Sequence, residues 1–283
     1  MSFERKLEKS LINKLKNSDL WQKKLKDDCE GQNLFLAVRN NDIGFYHNGG
    51  KLFGFDINEF KTHIKYASVI DNADTYYLTE KELSTKKLIS DFKGNYVRIK
   101  ENCKLYSGVE AQGVSEIYHK YSYLSNENIV VLDIEISFEA LDKTSGKTQD
   151  RIDILLYDKE KQALKFAEAK HYSNPEIWSK TIPKVIGQIE KYEQQISNNK
   201  DEIITAYTNY IEAINAVFDL KRPLPMPKKI EDKVSLLIFG FDDDQKKGRL
   251  QKLVLEKDAF KGFQVYCKQD KINPMHLWNS KIL

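Results

Sequence analysis

Cysteine is scarce in this chain. Cys29, Cys103 and Cys267 are the only three in 283 residues, and they stand far apart in the sequence. Their number is odd and their spacing matches no metal-binding motif, which argues against a disulfide framework and against a cysteine-ligated metal. We expect free thiols in a reducing compartment.

Long apolar runs are missing as well. The N-terminal stretch MSFERKLEKSLINKL is charged throughout and lacks the roughly 7–15-residue apolar segment of a secretory signal. No stretch approaches the ~20 apolar residues that a membrane-spanning helix needs. We therefore expect a cytoplasmic protein with no membrane partner.

The chain also lacks a strong charge of either sign. Its 45 basic and 42 acidic residues leave a formal net charge of +3. This balance neither requires nor excludes a nucleic-acid partner, because a local basic groove can lie beside an acidic metal site. The length allows one or two domains.

The first part of the chain, residues 1–105, predicts a small α+β domain. Residues 3–26 carry apolar side chains at helical spacing, and the period then changes to that of strands. Asn48-Gly49 suits a tight hairpin turn, so we predict a meander of three short strands, followed by a helix at 57–66. The three strands are predicted at 33–38, 43–46 and 51–55.

Aromatic residues in this domain alternate with lysine and arginine. One interpretation is a nucleic-acid-binding surface that gives the protein its target preference. The alternating strand positions favour the other interpretation, in which the rings form the core of the domain. The rings concerned are Trp21, Phe35, Phe45, Tyr46, Phe53 and Phe55.

The stretch RIDILLYDKEKQALKFAEAK, residues 151–170, predicts a hairpin of two apolar strands with a polar turn. If Tyr157 pairs with Leu164, the same register places Asp153 opposite Glu168, with their Cβ atoms roughly 5 Å apart. Lys170 lies on the same face as Glu168, because strand side chains alternate with a period of two. Three charges therefore converge at one end of an apolar hairpin.

Two carboxylates held this close repel each other unless a cation lies between them. Oxygen ligands without a nearby Cys or His cluster indicate a hard ion such as Mg²⁺ or Mn²⁺. In the alternative, Glu168 and Lys170 are solvated at a surface hairpin end, and Asp153 caps a turn. The apolar flanks ILLYD and LKFAEA favour a buried pair.

The residues Asp153, Glu168, Ala169 and Lys170 resemble the D…ExK signature of the PD-(D/E)xK nuclease superfamily, with Ile152 in place of the name-giving proline. The resemblance implies a restriction-endonuclease-like core of α+β or α/β class, with a helix, a three-strand meander, a helix and a strand. It also implies a Mg²⁺ or Mn²⁺ ion held by Asp153, Glu168 and the main-chain carbonyl of Ala169. Lys170 would be a catalytic residue that either stabilises the charge on the scissile phosphate or helps to deprotonate the attacking water.

A second pattern follows on a predicted helix. Gln188 and Tyr192 in GQIEKY resemble the QxxxY motif of the RecB-like branch, which would make both residues part of the catalytic site. Together with Lys184 they form a stripe that suits a DNA backbone. The alternative is an ordinary half-exposed helix face, since the two residues are i and i+4. The missing C-terminal cysteine cluster argues against the iron–sulfur variety of this branch.

Further metal ligands are expected from the elements before the hairpin. The resemblance implies an acidic residue on the preceding helix, at 108–121, where Glu116 is the first candidate and His119 the second. The strand at 128–138 carries Asp133 and Glu135 on one face, and either of these competes with Glu116.

The remaining elements complete a predicted nuclease-like domain over residues 106–283. The apolar run at 234–241 predicts a buried strand parallel to an earlier one. A helix at 249–260 and a last strand at 262–268 follow. The acidic cluster at 242–244 suits either a metal or the start of a helix.

The sequence thus predicts a metal-dependent nuclease, with DNA as the substrate that the resemblance implies. The alternatives are a non-catalytic nucleic-acid-binding module on the same fold, an antiphage or restriction effector that needs an activator, and a hydrolase of RNA or nucleotides. A homodimer and a protein partner bound through residues 1–105 are further hypotheses.

Overall fold

The fold was analysed in a computed structural model, which describes residues 3–68, 77–86, 88–139, 149–179 and 181–283. The chain forms two compact units with both helices and strands in each. The N-terminal unit comprises Glu4–Lys120 and Ala206–Leu224, and the C-terminal unit comprises Met1–Phe3, Tyr121–Thr205 and Pro225–Leu283.

The sheet of the N-terminal unit is an antiparallel meander in the order β1-β2-β3-β4-β5. The β2–β3 hairpin closes through Asn48 and Gly49, both at positive φ, as the Asn-Gly pair predicted. The predicted three-strand meander is therefore confirmed, and two further strands extend it. The strands are β1 (Phe35–Val38), β2 (Asp42–His47), β3 (Gly50–Asp56), β4 (Phe60–His63) and β5 (Tyr77–Thr79).

The predicted helix at 57–66 is wrong over most of its length, because β4 occupies residues Phe60–His63. The Asp56 carboxylate accepts hydrogen bonds from the backbone N–H groups of Asn58, at 2.8 Å, and Glu59, at 3.2 Å. This turn reverses the chain, so Phe60 pairs with Phe55 and their rings lie 4.4 Å apart. The pairing partner, and not local propensity, decides the structure here.

Short helices surround this sheet. The predicted N-terminal helix is present in pieces: α1, a π-type segment at Trp21–Leu25, and α2. The helices are α1 (Lys9–Lys16), α2 (Lys26–Glu30), α3 (Ile64–Ser68), α4 (Glu80–Thr85), α5 (Tyr96–Leu105) and α6 (Val109–Lys120).

The aromatic residues of the N-terminal unit form its core, as the alternation favoured. Trp21, Phe45 and Phe53 are almost fully buried.

The unit also includes residues from a distant part of the sequence, since the ring of Phe218 lies 5.5 Å from the Trp21 ring. Compared with the expected boundary after residue 105, this unit continues to Lys120 and includes Ala206–Leu224.

The sheet of the C-terminal unit has the order β11-β10-β8-β7-β6, and β9 pairs with β8. The first three strands in sequence are antiparallel neighbours, whereas β10 runs parallel to both β8 and β11. The predicted parallel strand at 234–241 and the last strand are thereby confirmed. The strands are β6 (Ile129–Glu139), β7 (Gln149–Asp158), β8 (Ala163–His171), β9 (Lys229–Ile230), β10 (Ser235–Phe239) and β11 (Gln264–Cys267).

Helical segments connect these strands. A 3₁₀ turn at Pro175–Ile177 follows β8, and the division between the two units falls inside α8. The helix expected at 249–260 is present as a π-type segment at Lys246–Leu255 and a 3₁₀ turn at Asp258–Phe260. The α-helices of this part of the chain are α7 (Lys184–Asn198), α8 (Lys200–Phe218), α9 (Asp243–Gln245) and α10 (Pro274–Trp278).

One local contact bears on the acidic cluster at 242–244. Asp242 caps α9 by accepting the N–H of Gln245 at 2.7 Å, which fits the helix-start interpretation of the acidic cluster. The polar stretch at 141–149, which the sequence predicts to be a loop, lies almost wholly outside the described residues. In the described part of the chain, no helix combines the length and the apolar character that crossing a membrane requires.

Candidate active site

The β7–β8 hairpin has the predicted register. Tyr157 pairs with Leu164, and the ladder continues to Ile154 opposite Ala167. The next position in the same register brings Asp153 beside Glu168. The Oδ2 atom of Asp153 accepts a hydrogen bond from the backbone N–H of Ala169 at 2.9 Å, which fixes this carboxylate against the ExK segment.

Glu168 and Lys170 form a buried ion pair on β8. The Lys170 Nζ lies 2.9 Å from Glu168 Oε1, and the two side chains are only 7% and 3% exposed. They are buried because β8 is an interior strand, with Leu236 of β10 opposite Glu168 and Ile238 opposite Lys170. This burial is incompatible with the alternative of a solvated hairpin end.

A second carboxylate, which the sequence analysis missed, contacts the same ammonium group. Glu176 Oε2 lies 2.8 Å from Lys170 Nζ. Glu176 stands in the 3₁₀ turn after β8, where the Asn174 side chain accepts its backbone N–H at 3.0 Å and Pro175 opens the turn. The sequence signal was the Asn-Pro-Glu turn directly after the motif strand.

These charges shift one another's pKa values. Burial by itself would lower the pKa of Lys170, but the negative charges of Glu168, Glu176 and Asp153 outweigh burial and raise it. The hydrogen bond from Lys170 is the main reason that the pKa of Glu176 is lowered, and a hydrogen bond from Gln188 lowers it further. The ammonium and the Glu176 carboxylate therefore stabilise each other's charged forms.

The two residues of the QxxxY pattern use their polar groups inside the unit. Gln188 binds Glu176, and within the described residues its buried Oε1 has no hydrogen-bond partner. Tyr192 is buried, and its hydroxyl donates to the backbone carbonyl of Arg151. Arg151 stands two residues before Asp153, so Tyr192 joins α7 to the strand that carries the site.

The candidate metal ligands on α6 lie in the N-terminal unit, whereas Asp153 and Glu168 belong to the C-terminal unit. Glu116 is exposed. His119 accepts the backbone N–H of Asn48 through Nε2 at 3.3 Å, and burial lowers its pKa to about 3. His119 is thereby a neutral hydrogen-bond acceptor within its own unit.

A β-bulge displaces the two candidate metal ligands on β6, Asp133 and Glu135. The β6–β7 register shifts between Val131 and Asp133, and Glu135 has a positive φ of 49°. Asp133 is buried and accepts the N–H of Ile134 at 2.8 Å, while Glu135 lies 3.7 Å from the Arg151 guanidinium. The bulge therefore breaks the simple alternation that was expected to place both carboxylates on one face.

The donor atoms at the hairpin end suit a hard divalent cation. Asp153 and Glu168 supply carboxylate oxygens, and Ala169 supplies a main-chain carbonyl. Mg²⁺ is commonly held by one or two carboxylates, with water and substrate phosphate as its other ligands. In the described part of the chain, no group of three or more His, Cys, Asp and Glu side chains is placed to hold a metal ion.

The structure thus brings Asp153, Glu168, Ala169 and Lys170 together and adds Glu176 to them. Gln188 contacts Glu176. Tyr192 contacts the backbone of Arg151, two residues before Asp153. Comparisons of this chain with protein-family models, with curated proteins and with solved structures found no match.

Proposed function

We propose that this protein is a metal-dependent nuclease that hydrolyses phosphodiester bonds, with DNA as the substrate. The observation that carries the proposal is the convergence of Asp153, Glu168 and Lys170 in an otherwise apolar hairpin. Burying an ion without compensating partners costs on the order of several kcal/mol. A structural role would be served as well by apolar side chains, so the buried charges of Glu168 and Lys170 beside the half-buried Asp153 favour a catalytic site.

Each residue has a distinct role in this proposal. Asp153, Glu168 and the carbonyl of Ala169 would hold Mg²⁺ or Mn²⁺. The ion, when bound, would acidify the attacking water and neutralise charge on the scissile phosphate. Lys170 places a positive charge beside Glu168, where it stabilises the anionic phosphate group in the transition state.

The order of elements gives further support. α6, the β6–β7–β8 meander, the helices α7 and α8 and the parallel strand β10 follow one another along the chain. This is the order expected of a restriction-endonuclease-like core. Asp153 lies on the second strand of the meander and Glu168 on the third, which is the arrangement that the D…ExK resemblance implies.

Cleavage assays test the proposal. Linear duplex DNA, circular DNA, single-stranded DNA and RNA are incubated with the protein and Mg²⁺ or Mn²⁺. We expect cleavage of DNA that EDTA abolishes, and a loss of at least about 100-fold in Asp153→Asn and Glu168→Gln, because each removes one ligand charge. Glu160→Gln is the matched control, since Glu160 is exposed in the turn of the same hairpin.

Three results would contradict the proposal in different ways. Full activity in Asp153→Asn or Glu168→Gln would move the site elsewhere. Binding of DNA without cleavage under all metal conditions would favour the non-catalytic module. Cleavage of RNA alone would retain the chemistry and change the substrate.

A further inference from the structure

Lys170 has two carboxylate partners, and only one of them belongs to the D…ExK pattern. Its Nζ lies 2.9 Å from Glu168 and 2.8 Å from Glu176. A lysine side chain is flexible, and fixing it in one rotamer costs conformational entropy. Two short ion pairs on the same ammonium group hold it in one position.

The two partners are not equivalent. Glu168 is a proposed ligand of the cation, and a carboxylate that binds a divalent cation gives up much of its attraction for a neighbouring ammonium group. Glu176 is anchored independently, through the Asn174 cap on its backbone and the hydrogen bond from Gln188 on its side chain. Glu176 can therefore hold Lys170 whether or not Glu168 binds the cation.

We propose that Glu176 is a positioning residue that holds the ammonium group of Lys170 at the active site. The proposal rests on the proposed nuclease function for its effect on catalysis. Glu176 itself touches neither the phosphate nor the attacking water.

Kinetics of Glu176→Gln test the catalytic part. The variant keeps the size of the side chain and an oxygen for Gln188 but removes the charge that binds Lys170. We expect kcat to fall roughly 10- to 100-fold, the usual effect of losing a supporting residue, and KM to change less than about twofold, because substrate contacts remain. Glu190→Gln is the control, since Glu190 is exposed on the same helix as Gln188.

A double-variant cycle separates positioning from general structural support. If Glu176 acts only through Lys170, then Glu176→Gln has no further effect in a Lys170→Ala background. An additive loss in the double variant would overturn the proposal. Mn²⁺ affinity should stay within about twofold in Glu176→Gln, and a tenfold weakening would make Glu176 a metal ligand instead.

A readout without catalysis completes the test. Nitrogen-15 NMR of lysine ammonium groups in the metal-free protein should show a resonance that is absent from Lys170→Arg. We expect this resonance to broaden or disappear in Glu176→Gln and to persist in Glu190→Gln. An unchanged resonance in Glu176→Gln overturns the inference at any level of activity. Wild-type protein that cleaves no substrate overturns the proposed function, while loss of the resonance in Glu176→Gln would still support the positioning of Lys170.

Discussion

The buried Lys170 and the half-buried His119 respond in opposite ways to the cost of removing a charge from water. Lys170 stays charged, because the carboxylates of Glu168 and Glu176 contact its ammonium group at 2.9 and 2.8 Å. His119 stays neutral, because its Nε2 accepts the Asn48 N–H and the described residues offer no hydrogen-bond partner to its buried Nδ1. Protonation of Nε2 would oppose the Asn48 N–H, so burial and hydrogen bonding act in the same direction.

The neutral state of His119 predicts a pH-dependent stability. Its pKa is about 3 in the folded chain, against about 6.5 in the unfolded chain. Between these values the unfolded state binds more protons, so the free energy of unfolding falls as the pH falls. Through this interval the slope from His119 should be about 1.4 kcal/mol per pH unit.

Urea denaturation between pH 7 and about pH 4 measures this slope. We expect His119→Gln to lower the slope by about the predicted amount, since a Gln side chain offers an oxygen to Asn48 but does not titrate. His276→Gln is the control, because His276 is exposed. An unchanged slope in His119→Gln would mean that the folded protein accommodates a protonated His119.

At the scale of elements, α7 is attached to the strand that carries Asp153. The Tyr192 hydroxyl donates to the Arg151 carbonyl, and the ring is buried. This contact supports the position of the hairpin end, and it leaves the phenol turned away from solvent. The i and i+4 spacing of Gln188 and Tyr192 thus serves two internal contacts, one to Glu176 and one to β7.

Tyr192→Phe tests this structural role. We expect the free energy of unfolding to fall by about 1 kcal/mol, the typical net contribution of one hydrogen bond, and DNA affinity to change less than about twofold. Urea denaturation and fluorescence anisotropy with labelled DNA measure the two quantities. A large loss of DNA affinity at unchanged stability would show instead that Tyr192 contacts the DNA strand.

The elements of the hairpin were predictable because their pattern is local. The polar turn and the apolar runs fix the Tyr157–Leu164 register, and that register places the charged trio. The helix predicted at 57–66 was wrong because pairing of Phe60 with Phe55 overrides local propensity. Glu176 was missed because a short turn, and not a strand period, directs it back to Lys170.

At the scale of the whole chain, the N-terminal unit is discontinuous in sequence. Residues Ala206–Leu224 belong to it, although more than eighty residues of the sequence separate them from Lys120. Tyr210 donates a hydrogen bond to the Leu36 carbonyl at 3.3 Å, and Lys16 pairs with Asp219 at 2.6 Å. No local pattern predicts such a contribution, because it depends on contacts between distant segments.

This discontinuity predicts that residues 4–120 alone do not complete their core. Trp21 is the sole tryptophan in that fragment, and in the full chain it is buried against Phe218 and Phe45. Without residues 206–224 we expect red-shifted Trp21 fluorescence and a broad, non-cooperative unfolding transition, because removing a buried aromatic partner exposes apolar surface worth about 2–3 kcal/mol for each ring.

A synthetic peptide of residues 206–224, added to the fragment, should shift the Trp21 emission to the blue and sharpen the unfolding transition. The same peptide with Tyr210→Ser and Phe218→Ser is the control, because it lacks the two aromatic side chains that meet Leu36 and Trp21. Native-like emission and cooperative unfolding of the fragment without peptide would contradict the prediction. In that case the second half of α8 would be dispensable for the core, and the unit would end at Lys120.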